Sequence, residues 1–155
     1  MKSVLLIIII LGILFSGCVS ANDLDSSVYT GPIFETVNQN VVNGVISVNA
    51  GEYVYYQLSL PSQAKVSGDF TAFGGSGNDI IVLILDENAY INWINGHSVS
   101  AYYNSGQMTT DSISASLPKG NYYLIYSNAF SSFSNKNVNT NVVVSYSICV
   151  ENCGS

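Results

Sequence analysis

The sequence is poor in charged residues and contains no arginine. Its 155 residues hold four basic residues, all lysine, against ten Asp and Glu, which gives a formal net charge of −6. Only 9% of the residues are charged, where about 25% is usual for a soluble domain. Four lysines cannot form the basic stripe that displaces phosphate counterions, so electrostatic binding of nucleic acid is excluded.

The sequence also has few of the residues that build catalytic and metal sites. His97 is its only His, and no Gly-x-Ser-x-Gly elbow accompanies it, so a Ser–His–Asp triad is not predicted. One His and the two Cys near the C-terminus fall short of the four ligands of a structural zinc site. We therefore predict no catalytic residue, no resident metal and no cofactor.

Acidic side chains leave two alternatives open. A calcium site needs several oxygen ligands, and the candidate set is Asp79, Asp86, Glu87 and Asn88. A glycoside hydrolase needs two carboxyl groups about 5–10 Å apart in one cleft. Asp69, Asp79 and Asp111 would supply such a pair only if the fold brought two of them together.

The chain does contain a long apolar run close to its first residue. Lys2 precedes residues 4–15, VLLIIIILGILF, a run of 12 residues without a polar side chain. A helix of this length spans about 18 Å, whereas the hydrocarbon layer of a bilayer is roughly 30 Å thick. The run therefore fits the apolar region of a signal peptide better than a membrane-spanning helix.

A cysteine follows this run directly. Residues 15–18, FSGC, resemble the lipobox of bacterial and archaeal lipoproteins, although Phe15 replaces the usual Leu, Val or Ile. The resemblance implies a signal peptide over residues 1–17, a lipidated Cys18 as mature N-terminus, and a tether over residues 18–31. It places the protein on the outside of the cytoplasmic membrane, with the membrane as a partner through two acyl-type chains. An uncleaved membrane anchor and an ordinary secretory signal are the alternatives.

The two remaining cysteines, Cys149 and Cys153, lie in the sequence CVENC. Outside the cytoplasm a disulfide between them is permitted. It would stabilise the fold by roughly 2 kcal/mol at most, because the loop it closes is short. The three intervening residues do not match a CxxC redox motif. A small clasp and a pair of reduced thiols both remain open.

Residues 32–150 are rich in β-branched and aromatic residues, with turn signals every 8–12 residues. Residues 52–60 alternate with a period of two, with Val54, Tyr56, Leu58 and Leu60 on one face. Residues 79–86 form a continuous apolar run, which is typical of a central strand covered on both faces. The other predicted strands are residues 32–37, 41–48, 65–73, 89–94, 107–117, 121–127 and 138–150. No window of ten or more residues shows helical spacing. The sequence predicts an all-β fold, an antiparallel β-sandwich of about eight strands over residues 32–150, followed by a tail over residues 151–155.

Residues 119–147 resemble the closing strands of the GOLD (Golgi dynamics) domain, a β-sandwich of membrane-trafficking cargo receptors. The positions that match the family pattern are Gly120, Tyr122, Leu124, Tyr126, Asn128, Phe130, Ser131 and Lys136. The family's cysteine pair, coiled coil and C-terminal membrane helix do not match here. The resemblance therefore implies the fold and an interaction module, without the trafficking role. Phe130 and Phe133 are expected to cap the open end of the sandwich.

Residues 79–85 also resemble a strand of secreted pre-peptidase C-terminal domains, which are small β-sandwiches too.

The best candidate for a binding surface is a segment rich in aromatic and amide side chains. Its candidate ligand-binding residues are Tyr90, Trp93, Tyr102, Tyr103, Asn92 and Asn95. Rigid aromatic faces beside amides suit a sugar or a protein partner. The alternative to ligand contact is that these rings only pack against one another across neighbouring strands.

We expect a non-enzymatic, lipid-anchored surface module that binds a protein or an envelope component. A carbohydrate-binding module that uses Tyr90, Trp93, Tyr102 and Tyr103 is the alternative function.

Overall fold

The computed structural model describes residues 31–75 and 77–153, and in this part of the chain two antiparallel sheets pack face to face. The elements are β1 (Ile33–Val48), β2 (Tyr53–Leu60), β3 (Ala64–Phe73), β4 (Ile80–Asp86), α1 (Glu87–Ile94), β5 (Tyr103–Met108), β6 (Thr110–Leu117), β7 (Gly120–Ser127) and β8 (Lys136–Glu151). The first sheet has the order β1-β8-β3-β6 and the second β2-β7-β4-β5. The predicted all-β antiparallel sandwich of about eight strands is confirmed. The predicted signal peptide, Cys18 and the tether up to residue 30 lie outside the described residues.

Side chains that alternate along the strands build the core between the two sheets. Leu58 and Leu60 on β2 are buried, whereas Gln57 and Ser59 are exposed. β6 shows the same pattern, with every second residue from Ile113 to Leu117 in the core. The period of two in the sequence therefore identified the inner faces correctly.

In two places the chain is divided into strands differently from the prediction. Residues 32–37 and 41–48 form one strand, β1, which pairs with β8 along its whole length through a register shift between Asn40 and Val42. A bulge of this kind lets a strand continue past an irregular residue, so the polar residues 38–40 do not end it. The predicted strand over residues 107–117 is in fact two strands. β5 belongs to the second sheet and β6 to the first, because the chain crosses between the sheets at Thr109.

Residues 89–94 were predicted as a strand, and this prediction is wrong, because they form most of α1. Asp86 caps the helix, since its Oδ1 accepts a hydrogen bond of 2.8 Å from the backbone N–H of Ala89. At the other end, Gly96 has a φ of +78°, and the N–H groups of Gly96 and His97 donate to the carbonyls of Trp93 and Asn92. This is a Schellman motif, which ends a helix at a glycine. Eight residues are too few for a window of ten to reveal.

α1 and the loop after it cover the outer face of the second sheet. Under them lies a small second core of Leu83, Leu85 and Ile125, which point away from the first sheet. β4 is therefore covered on both faces, as its continuous apolar sequence predicted. The only helix among the described residues, α1, is too short to cross a bilayer.

The two ends of the sandwich differ in what they carry. The tether end is where β1 begins and β8 ends, and there a disulfide joins Cys149 and Cys153. The loop end is the opposite one, where residues 49–52, 74, 75, 77–79 and 128–135 come together.

Candidate ligand-binding face

Five aromatic rings come together on the outer face of the second sheet. The aromatic face consists of Tyr53, Tyr55, Tyr90, Trp93 and Tyr123. β2 supplies two of them and β7 one, because alternate residues of a strand point to the same side. α1 supplies Tyr90 and Trp93, which share one side of the helix because they are three residues apart. The aromatic face is thus the contact between the helix and the sheet.

The rings of the aromatic face lie within contact distance of one another. Tyr90 stacks on Tyr123 with a centroid distance of 4.0 Å and an interplanar angle of 12°. Trp93 meets Tyr53 edge-to-face at 5.0 Å and 77°. Tyr55 lies 5.6 Å from both Tyr90 and Tyr123. Pairs of this kind stabilise by about 0.5–1.5 kcal/mol beyond their buried area, so the contacts fix the rings in place.

Part of the aromatic face remains open to solvent. Tyr55 is 48% exposed and Tyr53 is 37% exposed. The same face of β2 and β7 continues with amide and hydroxyl groups, where the Ser59 hydroxyl donates to Asn121 Oδ1 at 3.1 Å. A rigid apolar platform therefore lies beside neutral hydrogen-bonding groups, an arrangement that suits a sugar ring or an uncharged protein surface.

The Tyr90 phenol of the aromatic face stays protonated at physiological pH. Burial raises the pKa of the Tyr90 phenol, and a hydrogen bond between the Tyr53 and Tyr90 hydroxyls, 3.4 Å apart, raises it further. A protonated phenol keeps its donor, so each hydroxyl can both donate to and accept from a ligand.

The structure does not bring all the candidate residues together. Tyr103 points between the two sheets, where its hydroxyl donates to Asp111 Oδ2 at 2.7 Å. Burial raises the pKa of Tyr103, and the neighbouring Asp111 carboxylate adds to the increase. Tyr102 lies against Tyr122, with ring centroids 5.2 Å apart. Of the four predicted aromatic residues, only Tyr90 and Trp93 belong to the aromatic face, because the loop after α1 carries the chain from the outer face of the sheet to its edge.

The two candidate amides lie at the C-terminal end of α1 and are exposed. The Asn92 carbonyl accepts from the N–H groups of Asn95 and His97. The Asn95 side chain donates to the Ile91 carbonyl at 2.7 Å. Both residues therefore help to end the helix, and His97 belongs to the same turn.

Sequence reasoning missed Tyr53, Tyr55 and Tyr123 as members of the site. The signal was present in residues 52–60, whose alternation puts two tyrosines on the otherwise polar face of β2. Large aromatic rings on that face indicate that a further element packs over it, and here the element is α1.

Neither the calcium set nor the Asp69–Asp111 pair comes together in the fold. Asp79 and Asp86 lie at opposite ends of β4, about 23 Å apart at 3.3 Å per residue, so the proposed calcium set does not assemble. Asp69 and Asp111 lie on opposite faces of the first sheet, since Asp111 is paired with the inward-facing Phe70. Residues 31–75 and 77–153 contain no group of three or more His, Cys, Asp and Glu placed to hold a metal.

Comparison with protein-family models and with the curated proteins finds no match for this chain. The GOLD-like resemblance of residues 119–147 therefore stays a prediction.

Proposed function

We propose that this protein is a non-enzymatic binding module that a lipid on Cys18 holds on the outside of the cytoplasmic membrane. It binds a protein or another envelope component through the aromatic face. The observation that carries the proposal is the set of five interlocked rings, two of which are more than one-third exposed. The FSGC sequence supports the anchor, because it resembles a lipobox.

The aromatic face is suited to binding because its rings are already ordered. The centroid of each ring lies 4.0–6.4 Å from the centroid of at least one other ring. A ligand that covers Tyr53 and Tyr55 therefore loses little side-chain entropy on the protein side, which is a main cost of association. Tyrosine and tryptophan are also the residues that most often dominate binding energy at interfaces.

Binding through the aromatic face is tested by a pair of tyrosine variants. Tyr55→Ser removes an aromatic-face ring that is 48% exposed, and Tyr102→Ser removes a similarly exposed ring, at 42%, that lies outside the face. We expect Tyr55→Ser to weaken binding of the full chain to purified cell envelopes about tenfold or more. Tyr102→Ser should leave the affinity within about twofold. Equal losses from both variants, or none from either, would contradict the proposal.

The lipid anchor is tested separately by mass spectrometry and fractionation. We expect the mature chain to begin at Cys18 with a mass increase from acyl chains. Cys18→Ser removes the thiol that would carry an acyl chain, and it should shift the protein out of the membrane fraction. The reason is that the polypeptide without its acyl chains has no comparable affinity for the bilayer. An intact, unmodified N-terminus on the purified protein would overturn the anchor without bearing on the aromatic face.

A neutral glycan is the second candidate ligand, and the polar extension of the aromatic face favours it. Gln57, Ser59 and Asn121 continue the platform with uncharged donors and acceptors. Trp93 is the only Trp in the sequence, so its fluorescence reports on this face alone. Titration with a glycan library should shift that emission for one glycan class in the wild type and not in Tyr55→Ser. A library that leaves the emission unchanged would exclude this candidate.

A further inference from the structure

The first sheet ends in a long edge strand, β1. Among the described residues β1 pairs with β8 alone, and its 16 residues are at least twice as many as those of the other edge strands, β2, β5 and β6. Addition of a strand to an open sheet edge is a recurring mode of recognition. We infer that residues 34–40 of β1 pair antiparallel with the same residues of a second copy of this chain. The two copies then share one continuous sheet of eight strands.

The half of β1 that begins at the tether end has little support from other strands. β8 pairs with β3 only as far as Tyr146, whereas it pairs with β1 as far as Glu151. Beyond Tyr146 the two strands therefore form a two-stranded ribbon, which by itself is marginally stable in water. A second copy paired along the open side of β1 adds a third and a fourth strand to this ribbon.

Large hydrophobic side chains are exposed at both ends of the sandwich. At the loop end Phe133 is 97% exposed, so it does not form the predicted cap of the sandwich. At the tether end Phe34 is 63% exposed and Ile33 is 49% exposed. Both of these residues lie on the ribbon, where a strand paired along β1 would remove part of their surface from water.

The open edge is regular and weakly charged over residues 34–40. The register with β8 is unbroken from Phe34 to Asn40, whereas a bulge follows at Val41 and Gly44 has a φ of +136°. Natural edge strands avoid association through bulges, proline and charged side chains. Residues 34–40 contain none of these apart from Glu35. This half of β1 is therefore the part that another strand can join.

The order of side chains in residues 34–40 selects a second copy as the occupant. Opposite residues of an antiparallel pair point to the same face of the sheet, so a two-fold axis has to pass through a residue. With the axis at Val37, Val37 lies opposite itself and Glu35 lies opposite Gln39. An axis moved by one residue in either direction would place Val37 opposite Glu35 or Gln39. The segment thus complements itself when read in reverse, as an isologous contact requires.

Hydrogen bonding at Asn38 fits the same register. The Asn38 Oδ1 accepts from the Ser145 hydroxyl on β8. No described residue accepts from the Asn38 Nδ2. With the axis at Val37, the Thr36 hydroxyl of the second copy lies opposite Asn38 and supplies an acceptor.

Like charges of the two copies stay apart in this register. Glu35 faces the neutral Gln39 of the second copy, whose amide can donate to the carboxylate. The two copies of Glu35 are four positions apart along the paired strands, which is about 13 Å and exceeds the screening length of about 8 Å at physiological ionic strength. Glu151 is paired with Ile33 and lies farther from the axis.

Charge substitutions at Gln39 test the register. The full chain is purified in detergent micelles that outnumber the protein, and its self-association is measured by sedimentation equilibrium. Gln39→Lys places a positive charge opposite each Glu35 and should lower the Kd of the dimer at least about threefold. Gln39→Glu places like charges there and should raise Kd by a similar factor. Both effects should shrink at high salt, because these side chains are exposed.

Ser114→Lys and Ser114→Glu are the matched controls. Ser114 is exposed on β6, at the opposite edge of the same sheet, and its substitution changes the net charge by the same amount. We expect these variants to change Kd less than twofold. Changes as large as those at Gln39 would show that net charge governs association, and the inference would fall. It would also fall if the wild-type chain stayed monomeric at every soluble concentration.

A cysteine at the axis tests the geometry directly. In Val37→Cys the new thiol faces its own copy, with Cβ atoms about 4.5–5.5 Å apart, close to the separation that a disulfide spans. Mild oxidation should give a covalent dimer, which peptide mapping locates at position 37 of both chains. Val45→Cys, at a residue of β1 that is 61% exposed, should give none, because two copies of this residue would lie about 50 Å apart. Equal crosslinking of both variants, or no crosslink at position 37, would refute the inference.

Discussion

At the scale of single residues, Asn128 shows how one side chain can fix a whole loop cluster. Its amide nitrogen donates to carbonyls from two connections that are about 80 residues apart along the chain. A buried carbonyl that loses its donor costs about 1–3 kcal/mol, because the group was removed from water on folding. The position was prominent in the sequence only through the GOLD-like pattern, which does not state what the side chain contacts.

Replacing Asn128 should destabilise the fold strongly. We expect Asn128→Ala to lower the free energy of unfolding by about 2–3 kcal/mol, and Asn128→Asp to lower it further at pH 7, since a carboxylate would face three carbonyl oxygens. Urea denaturation followed by circular dichroism measures both. Asn139→Ala, at an exposed position of β8, is the control and should stay within about 0.5 kcal/mol of the wild type. An Asn128→Asp variant as stable as that control would disprove this role.

At the scale of the elements, the sequence predicted strands well and the helix poorly. β2 and β6 alternate so regularly that their inner faces follow from the period of two alone. α1 has only eight residues, and a short apolar pattern fits a strand as readily as a helix. The caps decide between the two, since Asp86 and Gly96 satisfy the end groups that a helix of this length leaves open.

The cap at Asp86 is therefore expected to control the stability of α1. Asp86→Ala removes the acceptor for the Ala89 N–H and should cost about 1 kcal/mol. The loss should appear first around Trp93, because α1 holds this residue against Tyr53. Trp93 fluorescence should then change at a lower urea concentration than the far-ultraviolet circular dichroism does. Asp86→Asn keeps a capping oxygen and should behave like the wild type. If the fluorescence and circular dichroism transitions of Asp86→Ala coincide, the expectation is contradicted.

The candidate site was predictable only in part, because it depends on contacts between distant elements. Tyr90 and Trp93 were identified from composition, but their partners on β2 and β7 are 30 to 40 positions away in either direction. Tyr102 and Tyr103 lie only nine and ten residues after Trp93, and yet they face other surfaces. Proximity along the chain is a poor guide wherever a loop changes the side of a sheet.

At the scale of the whole molecule, the sandwich buries tyrosines in both of its interfaces, the one between the sheets and the one under α1. Burial is the largest cause that raises the pKa of these phenols. The affected residues are Tyr56, Tyr90, Tyr103, Tyr122 and Tyr126. In the unfolded chain they titrate near pH 10. The folded state therefore holds protons that the unfolded state releases, which links stability to alkaline pH.

The expected outcome is a loss of stability above pH 10. The contribution of these tyrosines is fully present below the unfolded pKa of about 10, and it declines as pH rises toward the higher folded pKa values. Urea denaturation at pH 8, 9, 10, 10.5 and 11 should show a constant contribution of these tyrosines to the free energy of unfolding up to pH 9. From pH 10 upward the free energy of unfolding should fall.

Tyr126→Phe removes one buried phenol, whose hydroxyl bonds to Thr140 Oγ1 at 2.8 Å. This variant should be less stable than the wild type at pH 8 by about 1 kcal/mol. Its free energy should also fall less steeply above pH 10, because one fewer buried proton is released on unfolding. Parallel curves for the two proteins would show that Tyr126 does not contribute to the alkaline transition.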